Sequence, residues 1–231
     1  MNEQVSDSAI NAAREEREAE LVFARLRELR TNPIRGRFDT RHLKAVHAYL
    51  FQDLPHHQPG VIRADTHDSW IKQRTLEGRS GFHAVHYMHK GIQARISKTL
   101  RAFKVSDAIK GLTPEAAAIR IAGLYGDLDH AHGFHEGNSR TLREFTRELA
   151  LAAGFALDWV GTGVGVEERN QLYIARDVAV FERWFPGLTE NRAMATNDRS
   201  EYEAWFVLEK LRRMMGEKSL VAIIRERLAR H

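Results

Sequence analysis

The 231-residue sequence contains no cysteine. That excludes disulfide staples, thiolate nucleophiles and zinc sites built on thiolates, and it agrees with a reducing compartment. No apolar run is long enough to span a bilayer. The opening residues, Met1 to Glu16, are polar and acidic, so no classical signal peptide is read there. The expected location is cytoplasmic, with export as a secreted effector as the alternative. Internal repeats, low-complexity tracts and a Walker A sequence are also missing, which removes solenoids and P-loop NTPases.

What is present is ordinary for a folded domain. Hydrophobic residues make up 43% and charged residues 29%, enough for a buried core beneath a well-solvated surface. The formal net charge is +4. Basic residues are interleaved with acidic ones, so the pattern reads as a solvated surface and not as a nucleic-acid stripe. A mildly basic balance also suits an anionic ligand.

The apolar spacing predicts a mainly helical chain with one small β-hairpin. Leu21, Val22, Leu26 and Leu29 line one face of a helix over Glu15 to Arg30. A linker with Pro33 and Gly36 follows. Thr40 is the expected cap of a second helix over Arg41 to Gln52. Val61 to Trp70 reads as extended, Gly78 to Gly81 as a turn and Phe82 to Val85 as a second strand. Helical signals resume from Tyr87 to Phe103. Thr113-Pro114-Glu115 is a good start for a helix reaching Asp129. Further helices are expected over Ser139 to Ala153, Arg169 to Phe181 and Glu201 to Arg230, with Gly161 to Arg169 and Thr189 to Ser200 as connections. The domain reading is an N-terminal helix and linker (1–40), a catalytic domain (41–200) and a C-terminal helical extension (201–231).

One connection concentrates reactive groups: Asp129-His-Ala-His132-Gly-Phe-His-Glu136-Gly-Asn-Ser-Arg140-Thr-Leu-Arg143. It ends at a helix N-terminus, where free N–H groups and the helix dipole attract anions. Gly137 lets a phosphate approach the backbone. Arg140 and Arg143, three residues apart, share a helical face and reach the same anion. Glu136 is a hard oxygen ligand beside that anion, suited to Mg²⁺. His132 is suited to taking a proton from a hydroxyl. A bland alternative exists for each residue alone: the arginines as surface charges paired with Glu144 and Glu148, Glu136 as a helix-start acid, and Phe134 as a buried anchor. The joint arrangement points to phosphate-transfer chemistry.

The run His132 to Arg143 resembles the Fic-family motif, His-Pro-Phe-x-Asp/Glu-Gly-Asn-Gly/Lys-Arg-x-x-Arg. The stretch His42 to Leu54, followed by Gly60-Val-Ile-Arg63, is similar to a helix and a Gly-x-Ile-Arg strand of the same family, so the likeness extends over about 42–160. The resemblance implies a Fic-type helical bundle with a β-hairpin flap between Asp65 and Phe82. It implies a transferase moving AMP from ATP to a protein hydroxyl. His132 would be the general base and Glu136 the Mg²⁺ ligand. Gly137 and Asn138 would line the anion hole beside Ser139, Arg140 would bind phosphates, and Arg143 would engage the far end of ATP. Phe134 would anchor the loop beneath this nucleotide-binding set.

The chain departs from the motif at Gly133, in place of proline, and at Ser139, in place of glycine or lysine. Gly133 is expected to loosen the loop and Ser139 to cap the helix. A lysine at 139 with the preceding glycine lost would mark a phosphate-transferring branch. Gly137 is present and the lysine is not, which favours AMP transfer.

The family's inhibitory motif, Ser/Thr-x-x-x-Glu-Gly/Asn, is not matched in this sequence. Glutamate precedes Gly or Asn at Glu77, Glu136 and Glu190, preceded four residues earlier by Gln73, His132 and Pro186. The resemblance therefore implies a separate small antitoxin protein supplying a glutamate against Arg143. It implies a target protein docked by strand addition on the flap, a topoisomerase subunit being one class of such target. It implies neither direct nucleic-acid binding nor a membrane role. The second function class is a non-catalytic interaction module of the same fold.

Three other signals carry less. His83, His86 and His89 recur every third residue, and His56 adjoins His57, but no carboxylate or cysteine completes a zinc set in sequence. A helical phosphohydrolase needs further His and Asp ligands beyond a His67-Asp68 pair, and with this many histidines and aspartates one such pair is near chance expectation. Gly161 to Val166 fails the dinucleotide fingerprint.

Overall fold

The computed structural model describes residues 7–103, 108–159 and 165–230. Nine helices and four short strands are described within that range. They are α1 (Asp7–Thr31), α2 (Thr40–Leu50), β1 (Trp70–Thr75), β2 (Phe82–Tyr87), α3 (Ile92–Phe103), α4 (Pro114–Ala131), α5 (Asn138–Ala152), β3 (Phe155–Leu157), α6 (Val166–Trp184), α7 (Glu190–Ala195), α8 (Arg199–Met215), α9 (Leu220–Arg227) and β4 (Leu228–Arg230). The chain is mainly helical with a β-hairpin, as the spacing predicted.

α4 runs through the centre. Thr113 caps it by accepting from the Ala116 N–H, and Pro114 occupies its first turn. Its alanines at 117, 118 and 122 are buried, and small side chains let neighbours pack close. Ile96 and Leu100 of α3 and Phe145 and Leu149 of α5 join the same core as Ile121 and Leu128. Val22 and Leu29 of α1 and Ile223 and Ile224 of α9 belong to it too. A second core joins Ile174, Val178 and Phe181 of α6 to Leu208 and Leu211 of α8.

β1 and β2 form an antiparallel hairpin with Trp70 opposite Tyr87 and Thr75 opposite Phe82. The turn between them contains Gly78 and Gly81, both at positive φ, a conformation that costs glycine little. Val85 and Tyr87 on β2 pack against Val180 of α6. The hairpin is also held electrostatically. Asp177 of α6 accepts two bonds from the Arg74 guanidinium, at 3.0 and 3.1 Å, and lies 2.8 Å from His83 Nε2.

Several local expectations change. The first strand begins at Trp70, and 61–69 pairs with no strand. Its backbone donors are used elsewhere: the Arg63 N–H bonds Gly133 O and the Thr66 N–H bonds His89 O. The segment expected to be helical from Tyr87 starts at Ile92, because Tyr87 completes the ladder. The Asp65 carboxylate accepts from the Gly91 and Ile92 N–H groups, supplying from a distance the cap the local sequence lacks. Asp39, not Thr40, caps α2 through the His42 N–H. Gly137, not Ser139, is the N-cap residue of α5, and Ser139 sits inside the first turn. The polar segment from Thr189 includes the short helix α7, capped by Thr189. The β3–β4 pair was not anticipated, since three-residue strands give no readable periodicity. Of the glycine-broken connection, Gly161 to Val164 lie outside the described residues.

Candidate active site

The connection between α4 and α5 is built by partners far away in sequence. α4 ends at His132, whose backbone takes the left-handed conformation (φ 46). For a residue bearing a β-carbon this is uncommon and must be held by its surroundings. Arg63 holds it. Its Nε donates to His132 O at 2.6 Å and its Nη2 to Ala131 O at 3.3 Å and to Met88 O. The guanidinium thus meets carbonyls at the end of α4 that would otherwise lack partners. Burial pushes the Arg63 pKa down to about 10.

Beyond His132 the loop is clamped in three places. The Asn138 side chain accepts from the Phe134 N–H at 2.9 Å and donates to Phe134 O at 2.6 Å. The Phe134 ring is buried and stacks on His47 with centroids 3.8 Å apart. His47 Nδ1 accepts from the Gly60 N–H at 2.9 Å, which assigns the ring proton to Nε2, 3.1 Å from Glu136 O. The amide of Asn138 and the ring of Phe134 therefore shape the loop from below. Gly133 is not loose: its carbonyl accepts from Arg63, and a β-carbon there would meet Ile96 Cδ1 at 2.6 Å. Gly137 has φ 77, and a β-carbon on it would run into the Phe51 ring.

These constraints leave the N-terminus of α5 facing a cavity of about 280 Å³. It is lined by Lys72, Arg74, His132, Glu136, Gly137, Asn138, Ser139, Arg140, Arg143, Tyr173 and Arg176. Five cations and one carboxylate line it, and even with Asp177 and Asp129, which bond Arg74 and Arg176, cations exceed carboxylates by five to three, so the cavity favours an anion. Every residue the sequence singled out lies on this wall except Phe134, which lies beneath it. Arg140 stands 4.8 Å over the Phe51 ring, and burial lowers the pKa values of Arg140 and Arg143. The alternative pairing of these arginines with Glu144 and Glu148 does not occur. Glu144 is bonded to Arg147, and Glu148 to His42 and the Ile34 N–H.

His132 is buried at the cavity edge, 3.8 Å from the Tyr87 ring centroid. Its Nδ1 is 3.8 Å from Asp129 Oδ1. Burial pushes its pKa down to about 4, against a smaller opposing pull from Asp129. The ring is therefore neutral near pH 7 and has a nitrogen that can accept a proton. Asp129 is itself clamped by Arg176, with bonds of 2.9 and 2.8 Å. Burial alone would raise its pKa, but Arg176 and His132 outweigh that and hold it well below the usual carboxylate range.

Glu136 is exposed, and Lys72 Nζ of β1 lies 2.7 Å from its Oε1. Burial of the carboxyl works against ionisation, but Lys72 prevails and keeps its pKa low. Lys72, Arg74, Tyr173 and Arg176 were not legible in the sequence as site residues. They arrive from β1 and α6, and no local pattern links them to the motif.

A profile of the Fic/DOC family matches residues 37–150. The match covers the whole clamped loop, α4, and α5 up to residue 150. Through this segment the chain belongs to the Fic/DOC family. It is 31% identical over 142 residues to the protein adenylyltransferase VbhT of Bartonella schoenbuchensis, covering 62% of this chain and 27% of that one. It is 28% identical over 145 residues to a probable protein adenylyltransferase Fic of Salmonella typhimurium, covering 62% and 66%. The chain spans about a quarter of the length of VbhT and of a curated protein adenylyltransferase of Bartonella henselae that it also matches. Among solved structures it is similar to the BepC effector of Bartonella tribocorum with bound AMPPNP, at TM-score 0.60 and 19% identity, covering 94% of this chain and 87% of that one. A Fic domain of a Bartonella quintana effector with bound ADP gives TM-score 0.58 and 20% identity, with 100% and 91% covered. These last two likenesses concern the fold.

Proposed function

We propose that this chain is a protein adenylyltransferase that moves AMP from ATP to a hydroxyl side chain of another protein. The observation that carries this reading is the cavity itself: five cationic side chains and a helix N-terminus converge beside a buried, neutral histidine. The names of the curated relatives point the same way. The residues act as follows. Arg140, Arg143 and the backbone N–H groups of Gly137 and Asn138 hold the phosphates. His132 takes the proton of the target hydroxyl on the ring nitrogen turned away from Asp129. The hydroxyl oxygen then bonds to the α-phosphorus of ATP, the bond from that phosphorus to pyrophosphate breaks, and the proton stays on His132 until solvent removes it. Asp129 stabilises the imidazolium, but only partly, because Arg176 shares its charge.

Glu136 suits Mg²⁺. It is a hard, exposed carboxylate opening into a cation-lined cavity where phosphate oxygens would complete the coordination. When bound, the ion would neutralise charge on the phosphates. Lys72 bonds Oε1 of this carboxylate, which leaves Oε2 for such an ion.

Labelling a bacterial lysate with ATP tests the reading. The chain with label on the α-phosphate should mark discrete protein bands, and His132→Ala should reduce them at least ~100-fold. Label from the γ-phosphate alone would mean phosphate transfer instead, and no label from either would favour a non-catalytic module. The docked protein would add a strand along the β1–β2 hairpin, a topoisomerase subunit being the class implied by resemblance. Control would come from a small antitoxin protein placing a glutamate on Arg143. Arg143→Ala should then weaken binding of the antitoxin to the purified chain in a calorimeter; unchanged affinity would refute this control. The reaction needs only ATP, Mg²⁺ and target, which suits either the cytoplasm of the producing cell or that of a recipient.

A further inference from the structure

A second cluster of ligating groups lies outside the cavity, where α1 crosses the turn after α2. His56 Nε2 lies 2.9 Å from Glu18 Oε1, and His57 Nε2 lies 3.1 Å from Glu18 Oε2. The three ligand atoms fall within 4.8 Å of one another. Among the described residues this is the one group of His and carboxylate side chains so arranged. Tetrahedral zinc, with bonds of about 2.0 to 2.2 Å to nitrogen and oxygen, needs ligand atoms about 3.3 to 3.6 Å apart, so small side-chain shifts would seat an ion.

The site is half fixed and half open. His57 is buried, and its ring stacks on Phe51 with centroids 5.2 Å apart, which sets the direction of its Nε2. His56 is exposed, leaving room for a water as fourth ligand. Arg14 also approaches the carboxylate, with its Nε 3.8 Å from Glu18 Oε1 and its side chain mostly exposed. Nothing in the proposed AMP transfer uses Glu18, His56 or His57.

We propose that Glu18, His56 and His57 bind a divalent transition metal ion, zinc by ligand type, that pins α1 to the body of the protein. Two nitrogens and one carboxylate oxygen with an open position match zinc chemistry. The two segments joined are 38 residues apart. The pin reaches towards the cavity, because Phe51, on which His57 stacks, also meets Gly137 and Arg140.

The full chain, stripped with chelator and titrated with Zn²⁺ in a calorimeter, tests this. Wild type should show one saturable equivalent. Glu18→Gln and His56→Ala should each weaken it at least ~10-fold. Zn²⁺ should raise the thermal midpoint of wild type more than that of either variant, since binding to the native state stabilises it. The metal-free variants should melt close to metal-free wild type, which separates loss of a ligand from loss of fold. Equal affinity in all three proteins would place the ion on other histidines and overturn the proposal, as would the absence of a saturable site. Both results are independent of whether the chain transfers AMP.

Discussion

Gly137 shows how little freedom the motif leaves at a single position. Its backbone is left-handed, and the space a side chain would need is filled by the Phe51 ring. Alanine there incurs a backbone cost of about 1 to 2 kcal/mol and overpacking of about 1 to 3 kcal/mol. Gly137→Ala is expected to lower stability by roughly 2 to 5 kcal/mol in urea unfolding and to abolish ATP binding in a calorimeter. Retained binding would mean that the loop can shift without losing its amide cradle. The motif residues also divide by task. Arg140 and Arg143 present charge, whereas Asn138 and Phe134 shape the loop. Asn138 has both side-chain polar atoms bonded to Phe134, so it serves the anion site through its backbone and through the loop shape it imposes.

At the scale of elements, the β1–β2 hairpin is docked through one buried carboxylate. Asp177 serves both Arg74 and His83. Burial alone would raise its pKa, and the Arg74 charge keeps it low. Removing one partner of a buried pair leaves a buried charge uncompensated, at a cost of about 3 to 5 kcal/mol. Asp177→Ala should therefore loosen the hairpin first. Amide hydrogens from Trp70 to Tyr87 should exchange faster than those of α4, and target labelling should fall before nucleotide binding does. Uniform acceleration across all helices would instead mean that Asp177 supports the whole fold. The hairpin was recognisable in the sequence from its Gly78–Gly81 turn. Its docking was not, because Arg74 and Asp177 are 103 residues apart and each reads locally as a surface charge.

At the scale of the molecule, three buried histidines set the response to acid. Burial pushes His47, His130 and His132 from 6.5 down to about 4 each. Below pH 6.5 the unfolded chain takes up protons on these rings and the native state does not. Stability is thus fully present above pH 6.5 and falls as pH drops from 6.5 towards 4. Each histidine contributes a slope of about 1.4 kcal/mol per pH unit, so three together give roughly 4 kcal/mol per unit. Urea midpoints measured from pH 8 to pH 4 should be flat above 6.5 and then decline steeply. His130→Phe should flatten the decline by about a third; an unchanged slope would mean that His130 charges without unfolding.

The sequence by itself determined the helical class, the hairpin and the cluster of reactive groups, because each rests on neighbours along the chain: apolar spacing, turn glycines and a run from His132 to Arg143. Only the tertiary structure decided what that run faces. Lys72 and Arg74 come from β1, Tyr173 and Arg176 from α6, and Arg63 from an irregular segment that caps α4. It also decided the fate of Glu144 and Glu148, which by spacing alone fit Arg140 and Arg143 but are taken by Arg147 and His42. The physical reason is the same throughout. A charge pairs with whatever the fold brings within about 3 Å, and burial then makes that choice expensive to change.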